Sequence, residues 1–300
     1  MQTIALNKGH QLLESLKIFA RDIKLSHSIF ALPFVGVAMT ITGAADINFV
    51  KILKIIICMV TARSFAMGAN RYLDKDIDAV NQRTRSRALP SGLVNPESYL
   101  AITLLFGVMF VITAFSLSNL AGFLSPFLLL ILAFYSLMKK ISWLTHWYLG
   151  LCLGLAPVAT QLALFDTVTL PIILIGLAVA AWTAGFDLLY SLQDREFDQA
   201  HGLHSAPAKV GYRAAIWLSR GSFFLMILML FGAGWISSVG AWWHLGVATV
   251  AMILVSEHWL IRDAMETGKS DKINMAFFNL NALVSIFFFI FSLVDAYVRV

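Results

Sequence analysis

Asn70, Asp74 and Asp78 recur at steps of four in NRYLDKDIDAVNQRTRSRALPSG (70–92), directly after an apolar run. More than a hundred residues later Asp187, Tyr190, Asp194 and Asp198 occupy DLLYSLQDREFDQAHGLHSAPAKVG (187–211). Helical residues four apart are offset by about 40°, so each set forms a stripe on one face. Asp76 and Glu196 fall on other faces, where water would solvate them. A carboxylate stripe at a helix end is either a solvated terminus, paired here with Arg71 or Arg195, or a cation site. Two stripes on the same side of the chain favour the second. Facing clusters of carboxylates repel unless cations lie between them, and Mg²⁺ suits: a hard ion held by one or two carboxylates plus phosphate and water. Arg83, Arg85, Arg87, Lys139, Lys140 and Lys209 stand near enough in sequence to neutralise the remaining phosphate charge. The pattern predicts a diphosphate site. No G-x4-G-K-[ST] loop is present, which favours a lipid diphosphate over a nucleotide.

The elements that must position these residues are membrane helices. Of the 300 residues 59% are hydrophobic and 13% charged, and the mean hydropathy is +0.79. A soluble domain is about 45–50% apolar and about 25% charged. Nine apolar runs near 27–45, 50–69, 98–117, 119–138, 146–164, 170–190, 213–236, 241–261 and 275–297 have the length to span a bilayer. The expected fold is an all-α integral membrane bundle of nine helices. With the N-terminus in the cytoplasm, most of the 22 Lys and Arg residues fall on inside segments, against Lys51, Lys54 and Arg299 outside. Both acidic stretches then face the cytoplasm, one after the second span and one after the sixth. That placement suggests a parallel duplication of four helices plus a ninth. Residues 1–25 read as an amphipathic segment lying on the membrane surface, without the apolar core of a signal peptide. Residues 26–300 read as a single transmembrane domain. The net charge of +5 sits in the loops between spans and gives no reason to expect nucleic acid. Cys58 and Cys152 lie in apolar segments without metal-ligand spacing. His146, His244 and His258 read as interfacial or satisfied bundle residues, and His27 as either an acceptor contact or an interface marker. Glu257 is an intramembrane acid without an evident role, its partner left open between His258 and Arg262, and Asn279 and Asn281 are candidates for helix-to-helix hydrogen bonds.

At these residues the chain resembles the UbiA-type intramembrane prenyltransferases, in particular those labelled 4-hydroxybenzoate polyprenyltransferase. NRYLDKDID fits the family's N-x3-D-x3-D motif, RTRSR its R-T-x2-R element, and DLLYSLQD its D-x2-Y-x3-D motif; HSIFALPF, YSLMKK and YLGLCLGLAPVA extend the likeness over nearly the whole chain. The resemblance implies Mg²⁺ on Asp74, Asp78, Asp187 and Asp194, with Asn70 either orienting the first cluster or hydrogen-bonding the diphosphate. It implies that Arg83, Arg87, Lys140, Asp198 and Lys209 bind substrate, and that Tyr190 touches the diphosphate or flanks the cation formed from it. The partners would be a polyprenyl diphosphate, an aromatic acceptor such as 4-hydroxybenzoate, and membrane lipid. The setting would be a bacterial-type inner membrane, with the active site facing the cytoplasm and the pathway that of ubiquinone. The segment after the second motif departs from the G-x-K-S-T-A pattern of enzymes that prenylate 4-hydroxybenzoate. GLHSAPAKVG places His204 for the Lys and Ala-Pro for Thr-Ala. A related branch acts in the futalosine route to menaquinone, on an aminodeoxyfutalosine-derived benzoate. The rival from another class is a cation-coupled transporter, which would place acids at mid-membrane depth rather than at one rim beside Arg and Lys.

Overall fold

A computed structural model describes residues 13–24, 32–43, 47–267 and 279–299. Its helices are α1 (13–22), α2 (Leu32–Thr42), α3 (Phe49–Leu73), α4 (Lys75–Val80), α5 (Pro96–Phe115), α6 (Asn119–Ile141) and α7 (Thr145–Phe165). They continue with α8 (Leu170–Tyr190), a 3₁₀ turn (Ser191–Asp194), α9 (Arg195–Ala200), α10 (Ala206–Val210), α11 (Tyr212–Ile236), α12 (Ala241–Thr267) and α13 (Asn281–Arg299). Eight are long and apolar enough to cross a membrane, and no strand occurs among the described residues. Helices are what a bilayer demands, because each satisfies its own backbone groups. The first expected span, 27–45, is described only as the 11-residue α2 and its flank. The remainder of that span, His27 and residues 1–12 lie outside the described residues.

Contacts divide the chain into two compact units. One is built on α1, α3, α4, α5 and α6 up to Leu137; the other on α2 and the elements from Met138 onward. In the first unit Phe19 and Ile23, each 1% exposed, pack with Ala88, Leu89, Val94, Tyr99 and Ile102. Phe19 lies 4.8 Å from the Tyr99 ring and 5.5 Å from that of Phe106. Phe19 of α1 and Ile23 just after it are therefore covered by protein, while Leu13 stays exposed. The sequence shows an amphipathic face but not what covers it. Arg63, inside α3, points its guanidinium at the carbonyls of Ile23 and Lys24, 3.4 and 3.5 Å away at the end of α1. Lys54 does the same for the end of α5, donating to the Ser116 carbonyl at 2.8 Å. Both cations meet the negative pole of a helix dipole.

In the second unit α8 packs on α7 and α11, α12 on α13, and α13 on α2. Small residues set the α7–α8 approach. A Cβ on Gly150 would strike the Ala180 carbonyl oxygen, and one on Gly154 that of Gly176. Membrane helices associate through such small-residue contacts, since lipid supplies no hydrophobic drive between them. Polar ties complete the unit. Trp182 donates to Asn281 at 2.7 Å, and Asn281 in turn to Glu257 at 3.1 Å. This supplies the partner the sequence left open for Glu257. Asp295, 1% exposed, accepts the amides of Gly240 and Trp243 and pairs with Arg299 at 2.9 Å.

Candidate active site

The first motif sits at a helix joint. α3 ends at Leu73; Asp74 adopts φ −99°, ψ 1°, and the six-residue α4 follows. Backbone bonds nonetheless continue from Asp74 N–H to the Asn70 carbonyl (3.0 Å) and from Asp78 N–H to that of Asp74 (2.8 Å), so the expected stripe survives the joint. Asp74 and Asp78 are 2% and 4% exposed, whereas Asp76 faces water. The Asn70 amide donates to Asp74 Oδ2 at 2.9 Å and to Ser136 Oγ at 3.3 Å, while its oxygen accepts from Arg71 at 2.9 Å. Asn70 thereby holds the Asp74 carboxylate in place.

Arg87 places Nη1 2.7 Å from both oxygens of Asp78. The loop between them is closed by Thr84 Oγ1, which donates to the Asp78 carbonyl at 3.1 Å, and by Asn81, which accepts the Arg83 amide at 2.9 Å. Arg83 itself is exposed. Lys24 belongs to the same electropositive patch. Loss of hydration and then the charges of Arg71, Arg87 and Arg83 hold its ammonium below the ordinary lysine value. Cations crowded in this way bind an anion strongly, because the anion relieves their mutual repulsion.

Asp22 was missed by sequence reasoning. Its carboxylate accepts the Ala88 amide at 3.0 Å and the Tyr99 hydroxyl at 2.7 Å, with Arg71 Nε 3.8 Å away. It thus anchors the arginine loop to α1 and α5. Only its position on the polar side of an amphipathic segment hinted at it, and that is equally the mark of a solvated residue.

The second motif also lies at a joint, in the other unit. α8 ends at Tyr190, four residues of 3₁₀ helix follow, and Asp194 takes φ −97°, ψ 1° before the six-residue α9. The 3₁₀ turn, at about three residues per turn, displaces the α-helical stripe expected across Asp187, Asp194 and Asp198. The local order instead repeats that of the first motif. Asp74 with Asp78 and Asp194 with Asp198 each start a six-residue helix from a residue with ψ near zero. Asp187, Tyr190, Asp194 and Asp198 are all half-buried, and Lys140, His204 and Lys209 are exposed.

His146 is the second omission. The sequence suggested a satisfied bundle histidine, and its ring does make two bonds, one of them to the motif itself: Nδ1 lies 2.7 Å from Asp187 Oδ2. The 203–211 segment is tied down by the amide of Leu203 on the Asp198 carbonyl (2.9 Å) and that of His204 on the Lys139 carbonyl (2.7 Å).

These residues fit Mg²⁺ in kind. The candidates are carboxylate oxygens at a protein–water boundary, and such an ion takes few protein ligands and fills the rest with phosphate and water. Among the described residues no three His, Cys, Asp or Glu side chains form a ready-made cluster. Asp78 fits only if Arg87 releases it.

Comparison with known proteins bears on the family and the fold. A 4-hydroxybenzoate octaprenyltransferase from Alkalilimnicola ehrlichii is 28% identical over 234 residues, covering 76% of this chain and 77% of the relative. One from Tolumonas auensis is 25% identical over 228 residues, covering 75% and 78%. The apo structure of a UbiA homologue from Aeropyrum pernix K1 superposes with a TM-score of 0.80 at 28% identity, covering 90% of this chain and 98% of that one. A UbiA homologue from Archaeoglobus fulgidus bound to GPP and Mg²⁺ shares the fold at a TM-score of 0.69 and 15% identity, covering 93% and 99%. The profile of the UbiA prenyltransferase family matches residues 31–283, and the chain belongs to that family of membrane prenyltransferases.

Proposed function

We propose that this protein transfers a polyprenyl group from a polyprenyl diphosphate to the ring of 4-hydroxybenzoate, with Mg²⁺, in ubiquinone synthesis. The observation that carries the reading is the pairing of buried Asp74, oriented by Asn70, with a patch of arginines one loop away. Bound Mg²⁺ would neutralise charge on the departing diphosphate. Asp74 and Asp78 of the first motif, and Asp187 and Asp194 of the second, are the carboxylates that would hold Mg²⁺, and Arg83 and Arg87 beside the one, with Lys140 and Lys209 of the other unit, would neutralise phosphate oxygens. Arg87 exchanges Asp78 for the diphosphate, which frees that carboxylate at the moment the anion arrives. Tyr190 and Asp198 line the second motif's share of the substrate. The allylic C–O bond breaks, a ring carbon of the acceptor takes the prenyl cation, and the ring proton leaves to restore aromaticity. To the segments that follow the two motifs, 79–97 and 195–212, we assign the exclusion of water that would otherwise capture the cation. Relatives at 25–28% identity are named for the 4-hydroxybenzoate reaction, and a fold neighbour binds GPP with Mg²⁺. We place the site on the cytoplasmic side of a bacterial inner membrane, with the N-terminus on that side.

A second acceptor has its own support. GLHSAPAKVG departs from the 4-hydroxybenzoate pattern at His204 and Ala206–Pro207, and this segment is bonded to Lys139 and Asp198 of the same unit. Such a change at a fixed segment suits a different aromatic acid, the aminodeoxyfutalosine-derived benzoate of menaquinone synthesis. Membranes carrying the protein, supplied with Mg²⁺ and labelled polyprenyl diphosphate, are to be offered the two acceptors in parallel. Label on 4-hydroxybenzoate supports the first reading. Label on the other acceptor alone rejects it and makes the 202–211 segment the acceptor signature.

A further inference from the structure

His146 lies in the first turn of α7 and is 2% exposed, beside the last turn of α8. The close α7–α8 contact at Gly150, Gly154 and Gly176 sets that distance. Its two ring nitrogens are both engaged. Nε2 receives the backbone N–H of Ala206 at 3.1 Å, and Nδ1 meets Asp187 Oδ2 at 2.7 Å. An amide N–H only donates, so Nε2 carries no hydrogen. Nδ1 therefore carries it and donates to the carboxylate. Ala206 is the first residue of α10 and fully buried, in the segment that departs from the 4-hydroxybenzoate pattern.

The geometry points to His146 as a positioning residue that couples the seating of the 203–211 segment to the orientation of the Asp187 carboxylate. The ring is a rigid link. While Ala206 occupies Nε2, the tautomer is fixed, and Nδ1–H holds Oδ2, leaving Oδ1 to turn toward a cation. If the segment lifts, Nε2 loses its donor, the tautomer is no longer imposed, and Asp187 loses its fixed partner. An acceptor that contacts the 203–211 segment would in this way govern a carboxylate of the diphosphate site. The coupling rests on the role proposed above for Asp187; the tie between ring and segment does not.

The test uses the full chain in nanodiscs as wild type, His146→Phe and His146→Gln. Phe keeps the ring and loses both bonds, while Gln offers one amide donor and one acceptor. Amide exchange over 203–211 is read on the protein alone. Mn²⁺ uptake in the presence of inorganic pyrophosphate is read by electron paramagnetic resonance. ¹⁵N-histidine spectra, assigned by the signal lost in the variants, should show the Nδ1–H form. His146→Phe should exchange faster over 203–211 and bind Mn²⁺ at least about tenfold more weakly, as loss of an orienting partner does at metal sites. His146→Gln should recover most of both. Wild-type Mn²⁺ affinity in the Phe variant overturns the coupling, and so does a Gln variant as impaired as Phe. A wild type that takes up no Mn²⁺ overturns the diphosphate reading instead, and the exchange arm still decides whether the ring holds the segment.

Discussion

Asp74 and Asp76 are two residues apart and chemically identical, and the structure separates them completely. One is buried beneath Asn70 and the other is in water. Asp74→Asn should lower kcat/KM by at least about a hundredfold, as removal of a group that stabilises transition-state charge does. Asp76→Asn should stay within about twofold, since exposed positions away from a site change little. Prenyl transfer, with far-ultraviolet circular dichroism to confirm the fold, checks both. Asp22 is a different case, because its work is structural. Asp22→Ala leaves the Ala88 amide and the Tyr99 hydroxyl without their acceptor and should cost about 3 kcal/mol, read by thermal unfolding in detergent. The N-x3-D-x3-D spacing was legible because steps of four map onto a helix face, whereas in D-x2-Y-x3-D the 3₁₀ turn breaks that mapping and only the residue types could be read. Asp22 and His146 were not legible as partners. Each reaches its bonding group across tertiary contacts, 66 residues to Ala88 and 41 to Asp187, and no periodicity encodes that.

At the scale of elements, both motifs share one device: a long helix, a residue near φ −98°, ψ 1°, then a six-residue helix that carries the next aspartate. In the first motif backbone hydrogen bonds continue through the joint, and in both a ψ near zero is the sparsely used bridge conformation that recurs in functional sites. The recurrence supports the duplication suggested by two similar stretches in one chain. The spans α3, α5 to α8 and α11 were legible from apolar runs to within about four residues at each end, while α12 runs on to Thr267 and the expected start of the last span at 275 lies outside the described residues. The 3₁₀ turn at Ser191–Asp194 was not legible, because Ser-Leu-Gln-Asp has no proline or glycine to mark a change of helix. The packing of α7 on α8 makes a further prediction. Gly154→Ala puts a methyl into the Gly176 carbonyl and should cost about 1–3 kcal/mol. Gly221→Ala, with nothing within 4 Å, should be neutral or stabilising by up to about 1 kcal/mol. Thermal unfolding of the two variants side by side distinguishes the close approach from a general effect of alanine.

At the scale of the molecule, large apolar side chains remain on the outside, among them Phe224 at 65%, Leu130 at 68% and Val255 at 71% exposed. In water such a surface would aggregate, and in lipid it is the expected coat. Arg220 lies over the Trp217 ring at 4.7 Å, a pairing suited to a membrane interface. Composition alone indicated this class. The orientation proposed from the charge distribution is open to direct test. Cys58 and Cys152 are buried and form no disulfide, so a variant with both replaced by alanine can carry a single cysteine at Arg85 or at Val168. An impermeant maleimide should reach position 85 from the cytoplasmic side of oriented vesicles and position 168 from the opposite side. Labelling in the reverse sense would place the aspartate motifs outside. The central claim is that these aspartates make the chain a metal-dependent prenyltransferase. Its most direct test is prenyl transfer from a labelled polyprenyl diphosphate in proteoliposomes of the purified wild type, Asp74→Asn and Asp187→Asn, with and without Mg²⁺. Transfer by the wild type that requires Mg²⁺ and is lost in both folded variants is the predicted result; equal transfer by wild type and either variant would contradict it.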